Sequence, residues 1–322
     1  MEKCPERTGL IKLNGEKMAT LQEKIDYNKR KAAKHGWTPE WFRCTDFDAD
    51  LIIAIKAYQS RNGLSMDGMC GPSTFRMIYT EREQDNASDD EEVESGEYII
   101  YNDARVKIFW DKVTTYNEVG GKKASSGKFS SYAGRRARNP KFFVSHWDVT
   151  LSASRCFQIL EKRGISVHYS IGNDGRIYQW LDMQHAAWHA GGRAWNHNSV
   201  GVEVSNAYSL KYQDWYERKG FGPRPVIEDA KVHGREVRSH LGFYEVQERA
   251  LAALWEAVSY ACDIPLEIPD TEYAVDQQCA DNEFSGFCSH FHLTRRKIDP
   301  CSMDSSKILR WAIEIRREKR YV

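Results

Sequence analysis

Between residues 81 and 97 the chain reads Glu-Arg-Glu-Gln-Asp-Asn-Ala-Ser-Asp-Asp-Glu-Glu-Val-Glu-Ser-Gly-Glu, and this run cannot join a core. A segment so polar buries too little apolar area to offset the entropy lost on ordering. It predicts a flexible acidic linker over 81–97, with a small domain over 1–80 and a large one over 98–322. An acidic partner-binding tail is the alternative, although such tails sit at chain ends.

The rest of the chain can build cores. Hydrophobic residues make up 41% of the 322 residues and charged ones 29%, a globular profile. The formal net charge is zero, which argues against a nucleic-acid binder, since those carry a basic excess. No apolar run approaches ~18 residues, so no stable membrane insertion is expected. The opening Met1-Glu-Lys-Cys-Pro-Glu-Arg lacks the apolar core of a secretory signal. The expectation is a protein made in the cytoplasm and released by some other agent. The eight cysteines are irregularly spaced and contain no Cys-x-x-Cys. Most should be reduced and buried, Cys156 and Cys262 in particular. Cys279, Cys288 and Cys301 leave open a disulfide or a second metal site with His292.

Residues 1–80 predict an all-helical domain. Thr20-Leu-Gln-Glu23 has capping-box spacing and opens a helix that runs to about His35 before Gly36. Thr38-Pro39 opens a short second helix. Asp50 to Gln59 predicts a third, and Gly71-Pro-Ser-Thr-Phe75 starts a fourth after a turn at Gly63–Gly68. The string Ala54-Ile55, Tyr58-Gln59, Gly63-Leu64, Asp67-Gly68, Gly71-Pro72, Thr74-Phe75 resembles the peptidoglycan-binding type 1 domain. Ile52, Ile55, Tyr58, Leu64 and Phe75 are its candidate core. A helical spacer is the alternative.

Residues 98–322 mix two periods. Phe142–Trp147, Val167–Gly172, Ile177–Leu181 and Val200–Ser205 predict strands; Ser152–Arg163, Tyr244–Cys262 and Ser305–Arg317 predict helices. Near-continuous apolar strands with amphipathic helices between them imply an α/β domain, a mixed β-sheet flanked by helices. Asn173-Asp174-Gly175 predicts a tight turn joining two strands. Gly120–Arg138, rich in Gly, Ser, Lys and Arg, reads as a mobile loop or a basic lip. The tail Arg316–Arg320 reads as a solvated helix end.

His146 ends the apolar run Lys141-Phe-Phe-Val-Ser-His146, and His290 and Asp299 lie in Ser289-His-Phe-His-Leu-Thr-Arg-Arg-Lys297-Ile-Asp299-Pro300. Two imidazoles and one carboxylate are the donor set of a catalytic Zn2+, which keeps a fourth position open for water. His292 competes with His290 for the role, since only one residue separates them. Glu203 follows Val-Gly-Val on a predicted strand, where a buried carboxylate requires a partner or a function. An ordinary ion pair is the plainer reading. His185, His197, His233 and His240 are expected on the surface or in loops.

Five strings in order resemble the zinc-dependent N-acetylmuramoyl-L-alanine amidases of type 2, which share the peptidoglycan recognition protein fold. They are Val144-Ser-His146; Val167-His168-Tyr-Ser-Ile-Gly-Asn-Asp-Gly175; Ala187-Trp188-His189-Ala190-Gly191; Asn198-Ser199-Val-Gly201-Val-Glu203; and His290 through Asp299-Pro300. The resemblance implies zinc held by His146, His290 and Asp299, Glu203 as the catalytic glutamate, and Lys297 polarising the scissile carbonyl. It implies Trp188, His189 and Asn198 in the substrate cleft; His168 reads as a structural residue or a support for the ligands and not as a ligand. Departures are Cys301, where glycine usually follows Asp-Pro, and Val167, where some relatives carry tyrosine. The implied enzyme is a monomeric, phage endolysin-like lysin that cuts peptidoglycan between N-acetylmuramic acid and L-alanine. A non-catalytic peptidoglycan-binding protein and a zinc endopeptidase acting on stem peptides are the alternatives.

Overall fold

The computed structural model describes residues 19–84, 95–134 and 138–320. It divides into two compact units, the first ending at Thr74 and the second beginning at Phe75. Most of the expected acidic linker, residues 85–94, lies outside the described residues.

The first unit is helical. Helix α1 (Leu21–His35) opens with the reciprocal capping box of Thr20 and Glu23 and stops at Gly36, which is left-handed at φ 72°. A 3-10 turn at Pro39–Phe42 follows, then α2 (Ala49–Arg61), capped by the Asp48 side chain on Leu51 N–H. Trp37, Phe42, Leu51, Ile52, Ile55 and Tyr58 are buried. Leu64 is only half-buried. Two amides staple the turn after α2: Asn28 bonds Gly68 O and Cys70 N–H, and Gln59 bonds Gly68 N–H, Met69 O and Thr74. Gly68 has φ +75°, and a Cβ there would stand 2.7 Å from an Ile52 methyl, so the turn requires glycine. Helix α3 (Pro72–Arg82) starts in this unit and from Phe75 onward belongs to the larger one.

The second unit is built on a six-stranded mixed sheet. Its strands are β1 (Val113–Thr115), β2 (Phe142–Trp147), β3 (Tyr169–Ile171), β4 (Ile177–Gln179), β5 (Ser199–Val204) and β6 (Gly286–Ser289). Their order across the sheet is β6-β2-β5-β3-β4-β1. Only β3 and β4 run antiparallel, joined by the tight turn in which Gly175 takes φ +80°. The buried residues of β2 and β5 run without interruption, as a sheet covered on both faces requires.

Three helices cover it: α4 (Ala153–Arg163), α5 (Glu245–Cys262) and α6 (Ser305–Ile315). Trp255 of α5 packs on Phe143 and Phe287 of the sheet, and Ile308 and Ala312 of α6 are fully buried. Burying a side chain the size of Ile308 contributes roughly 1.5–3 kcal/mol. The expected strands and helices agree with these elements to within three residues at each end, whereas β1 and β6 were not expected.

Three sequence expectations are corrected here. The tail is not simply solvated: Arg316 and Arg320 both pair with Glu256, a fully buried carboxylate of α5. Arg138 is not on a basic lip; it is buried and donates to the carbonyls of Met183, Asn196, His197 and Ser199. His240 is fully buried, stacked on Tyr208 and edge-on to Trp147. Arg224, also buried, lies between the rings of Tyr216 and Tyr244 and donates to Gly242 O, Asn173 and Ser205 O. That arginine anchors the long excursion between β5 and α5.

Candidate metal and catalytic site

Parallel strands deliver the site. His146 is the next-to-last residue of β2 and Glu203 the next-to-last of β5, and the two are register partners. Register partners on parallel strands present their side chains to one face. Strand β6 runs parallel to β2 on its other side and pairs Ser289 with Ser145; His290 follows at once, opening the short helix His290–Leu293. Functional groups thus gather at the carboxyl ends of neighbouring strands, where open α/β sheets bind their ligands. Asp299 returns from the loop beyond, its carbonyl accepting from Phe291 N–H at 3.1 Å.

His146, His290 and Asp299 meet, all buried. Nδ1 of His146 lies 2.8 Å from Nδ1 of His290 and 3.2 Å from Oδ2 of Asp299, which is 3.1 Å from His290 Nδ1. Tetrahedral donors set about 2.0–2.1 Å from a zinc ion stand roughly 3.3 Å apart, so this triangle suits one. The protonation states suit it as well. Burial, with His290 next to it, pushes His146 down to about 3, so its imidazole is neutral. Asp299 is held well below the usual carboxylate range although burial alone would raise it, because His290 and Lys297 favour its charge.

His292 is committed elsewhere. Its Nδ1 accepts from Ser289 N–H at 2.9 Å and its Nε2 lies 2.8 Å from Thr271 O. Cys279, Cys288 and Cys301 are free and buried, as are Cys156 and Cys262. Cys301 Sγ lies 3.4 Å from Nε2 of the buried His240.

Behind His146 stands a relay. Its Nε2 is 2.9 Å from Nδ1 of His189, whose Nε2 is 3.1 Å from Ser199 Oγ; that hydroxyl donates to Trp195 O at 2.6 Å. Gly201 makes room, since a Cβ there would come within 2.5 Å of the His189 ring. His189, expected in the substrate cleft, places its ring nitrogens against a metal-donor candidate and a serine. His168 is buried, accepting from Gly201 N–H on Nδ1 and facing Arg138 and His185 O with Nε2.

Glu203 is buried, and its side chain has two unlike oxygens. Oε1 lies 3.5 Å from an Arg76 guanidinium nitrogen, while Oε2 has no hydrogen-bond partner among the described residues. Burial pushes the carboxyl up to about 7; Arg76 opposes the shift, and Asp148 and Asp299 add to it. Lys297 is exposed, and its charge acts on both His146 and Asp299. Trp188 is half-buried, donating from Nε1 to Ser130 Oγ at 3.1 Å. It lines a cavity of about 670 Å3 together with Tyr132, Arg193, Asn196 and His197. Asn198 accepts from Lys141 N–H through its backbone carbonyl. The neighbouring Asn196, which the motifs do not single out, accepts the N–H groups of His189 and Ala190 and so shapes that loop.

The N-acetylmuramoyl-L-alanine amidase family model matches residues 136–302, more than half of the chain. The chain belongs to the N-acetylmuramoyl-L-alanine amidase family. A peptidoglycan binding domain model matches residues 35–78 of this amidase. No curated protein sequence matches it. Among solved structures, a mutant endolysin from Bacillus subtilis is 15% identical, with a TM-score of 0.38, covering 62% of the amidase and 97% of that chain. The N-acetylmuramoyl-L-alanine amidase LysC from Clostridium intestinale is 16% identical with a TM-score of 0.36, covering 62% and 95%. The Staphylococcus aureus hydrolase AmiA, solved with its ligand, is 9% identical with a TM-score of 0.40, covering 65% and 86%. The family assignment rests on the matched residues 136–302 alone.

Proposed function

We propose that this cell-wall amidase works through a zinc ion held by His146, His290 and Asp299, with Glu203 as its general base. The observation that carries the reading is the triangle of three buried donor atoms, with a buried carboxylate close by whose Oε2 has no hydrogen-bond partner among the described residues. When bound, zinc supplies Lewis-acid activation of water and of the scissile carbonyl.

The chain's own residues do the rest. Glu203 Oε2 takes the proton of the attacking water and passes it to the leaving amine of L-alanine. Near pH 7 its raised affinity for protons suits both halves of that transfer. The exposed Lys297 places positive charge where the carbonyl oxygen gains negative charge. The products are a lactyl carboxylate on the muramic sugar and a stem peptide that begins with L-alanine. Trp188 and the cavity it lines form part of the substrate cleft, with Asn198 holding the start of β5.

Residues 1–80 act as the wall-binding domain, 81–97 as the linker and 98–322 as the catalytic domain. Tethering a binder to the enzyme raises the effective concentration of an insoluble substrate. Among the described residues no helix is long and apolar enough to cross a membrane. The amidase fits the role of a monomeric phage endolysin that is antibacterial once it reaches the wall, having been made in the host cytoplasm. Nucleic acid is not a partner in this reading.

The test is digestion of purified peptidoglycan with and without a chelator, followed by mass analysis and by restoration with Zn2+. New amino-terminal alanine that disappears with chelation supports the reading. Full activity in metal-free protein, or a different new amine, overturns it.

A further inference from the structure

The partner of Glu203 comes from outside the matched amidase residues. Arg76 lies on α3, in the part of that helix that belongs to the larger unit. One of its terminal nitrogens stands 3.5 Å from Glu203 Oε1, and the other donates to Trp147 O at 3.4 Å. Trp147 is the residue after His146 and ends β2. A single guanidinium therefore ties the tip of β2 to the carboxylate near the tip of β5. The helix that carries it is itself pinned: Thr80 Oγ1 donates to Val149 O at 3.2 Å, Tyr79 donates to Gln158 at 3.3 Å, and Glu83 pairs with Arg155 at 3.2 Å.

A carboxylate free to rotate about its last torsion offers either oxygen to the solvent side. A charged contact on one oxygen fixes that choice. Here the contacted oxygen is Oε1, and Oε2 is left buried and without a partner among the described residues. The charge balance points the same way. The groups acting on Glu203 are Arg76 and Arg163 on the positive side and Asp148 and Asp299 on the negative. Without Arg76, one arginine would face three carboxylates, and a buried charge stripped of its partner is costly.

We propose that Arg76 is a positioning residue of the amidase, holding Glu203 by Oε1 so that Oε2 takes the proton from the attacking water. This inference rests on Glu203 being the general base. Lysine at position 76 would keep the charge but not the two-nitrogen fork that bridges Trp147 O and Glu203.

The experiment measures kcat and KM separately on a soluble muropeptide, using the full-length, zinc-loaded enzyme. The variants are Arg76→Ala, Arg76→Lys, Glu203→Gln and the double variant Arg76→Ala/Glu203→Gln. A misplaced catalytic group costs on the order of 10²-fold. Arg76→Ala should therefore lower kcat by about 10–100-fold, with KM little changed. Arg76→Lys should recover part of the loss. In the Glu203→Gln background, read by single turnover, Arg76→Ala should change almost nothing, since no carboxylate remains to be held. An unchanged or increased kcat in Arg76→Ala, or an equal loss in both backgrounds, overturns the inference and leaves the general base untouched. Full turnover in Glu203→Gln overturns the general base and, with it, the role of Arg76. If Arg76→Ala does not fold, Arg76→Gln and Arg76→Lys are compared in both backgrounds by the same criteria.

Discussion

His146 and His189 meet edge to face, their ring planes 88° apart and Nε2 of the first 2.9 Å from Nδ1 of the second. That contact decides how His146 can serve. With Nδ1 turned to the donor triangle, Nε2 carries the proton and donates to His189. His189 in turn donates to Ser199, and Ser199 donates to Trp195 O. Each step has one donor and one acceptor, so the tautomer of every member is fixed from the carbonyl end.

His189→Ala should weaken zinc binding by about 10–100-fold, the usual effect of losing an outer-shell partner. Competition with a chelating dye checks this without reference to activity. Unchanged affinity would return His189 to the substrate cleft.

Gly201→Ala should damage the same relay from the other side. The added methyl would stand 2.5 Å from the His189 ring, deep in the β5 strand. Overpacking of this kind costs about 1–3 kcal/mol, readable as a lower midpoint in urea. Zinc affinity should fall along with stability, because the ring that must move is the one that orients His146.

Activity should depend on the ionisation of Glu203. Burial raises its carboxyl to about 7, and a general base works only when deprotonated. Turnover should therefore rise with pH up to about 7 and level off above, falling about tenfold per unit on the acid side. A kcat profile flat down to pH 5 would exclude Glu203 as the base. Glu203→Gln should retain zinc and lose at least about 100-fold in kcat, measured beside metal content.

Stability of the zinc-free protein should fall on the acid side. His168 and His189 are pushed well below the ordinary value, first by burial, and His292 is pushed down to about 4. Each is neutral in the folded state where the unfolded chain, titrating at 6.5, takes a proton. The unfolded state thus binds more protons between about 4 and 6.5, and stability drops as pH falls through that window. Each histidine contributes at most about 1.4 kcal/mol per pH unit. Glu203, Asp148 and Glu248 act oppositely, since their folded affinity for protons is the higher one, but His146, His185, His197 and His240 are pushed down as well and keep the histidines in the majority. Urea unfolding at pH 5 and 7 measures the difference, and equal stability at both would refute it.

Much of this was legible in the sequence because it is local. The Thr20 capping box, the stop at Gly36 and the turn at Gly175 each depend on residues within four positions of one another. The strands His146 and Glu203 sit on announce themselves by apolar runs, and the metal-donor set by its residue types. What escaped is long-range or weakly patterned. Strand β6, Gly-Phe-Cys-Ser, is too short to show a period. Arg76 and Glu203 lie far apart in the chain, as do Glu256 and the arginines of the tail. A charge meant for a buried partner looks like a surface charge until the chain has folded. The contact of His189 with His146 was not legible either, because a motif fixes position along the chain and not the direction of a ring.

The ladder that sets His146 opposite Glu203 ties chemistry to assembly. Slipping β5 past β2 by one residue would turn the glutamate to the opposite face, and β6 must dock before His290 can arrive. A half-made molecule therefore lacks both the proposed base and the proposed ion's donor set, and the two come into being together only once the central strands have closed ranks.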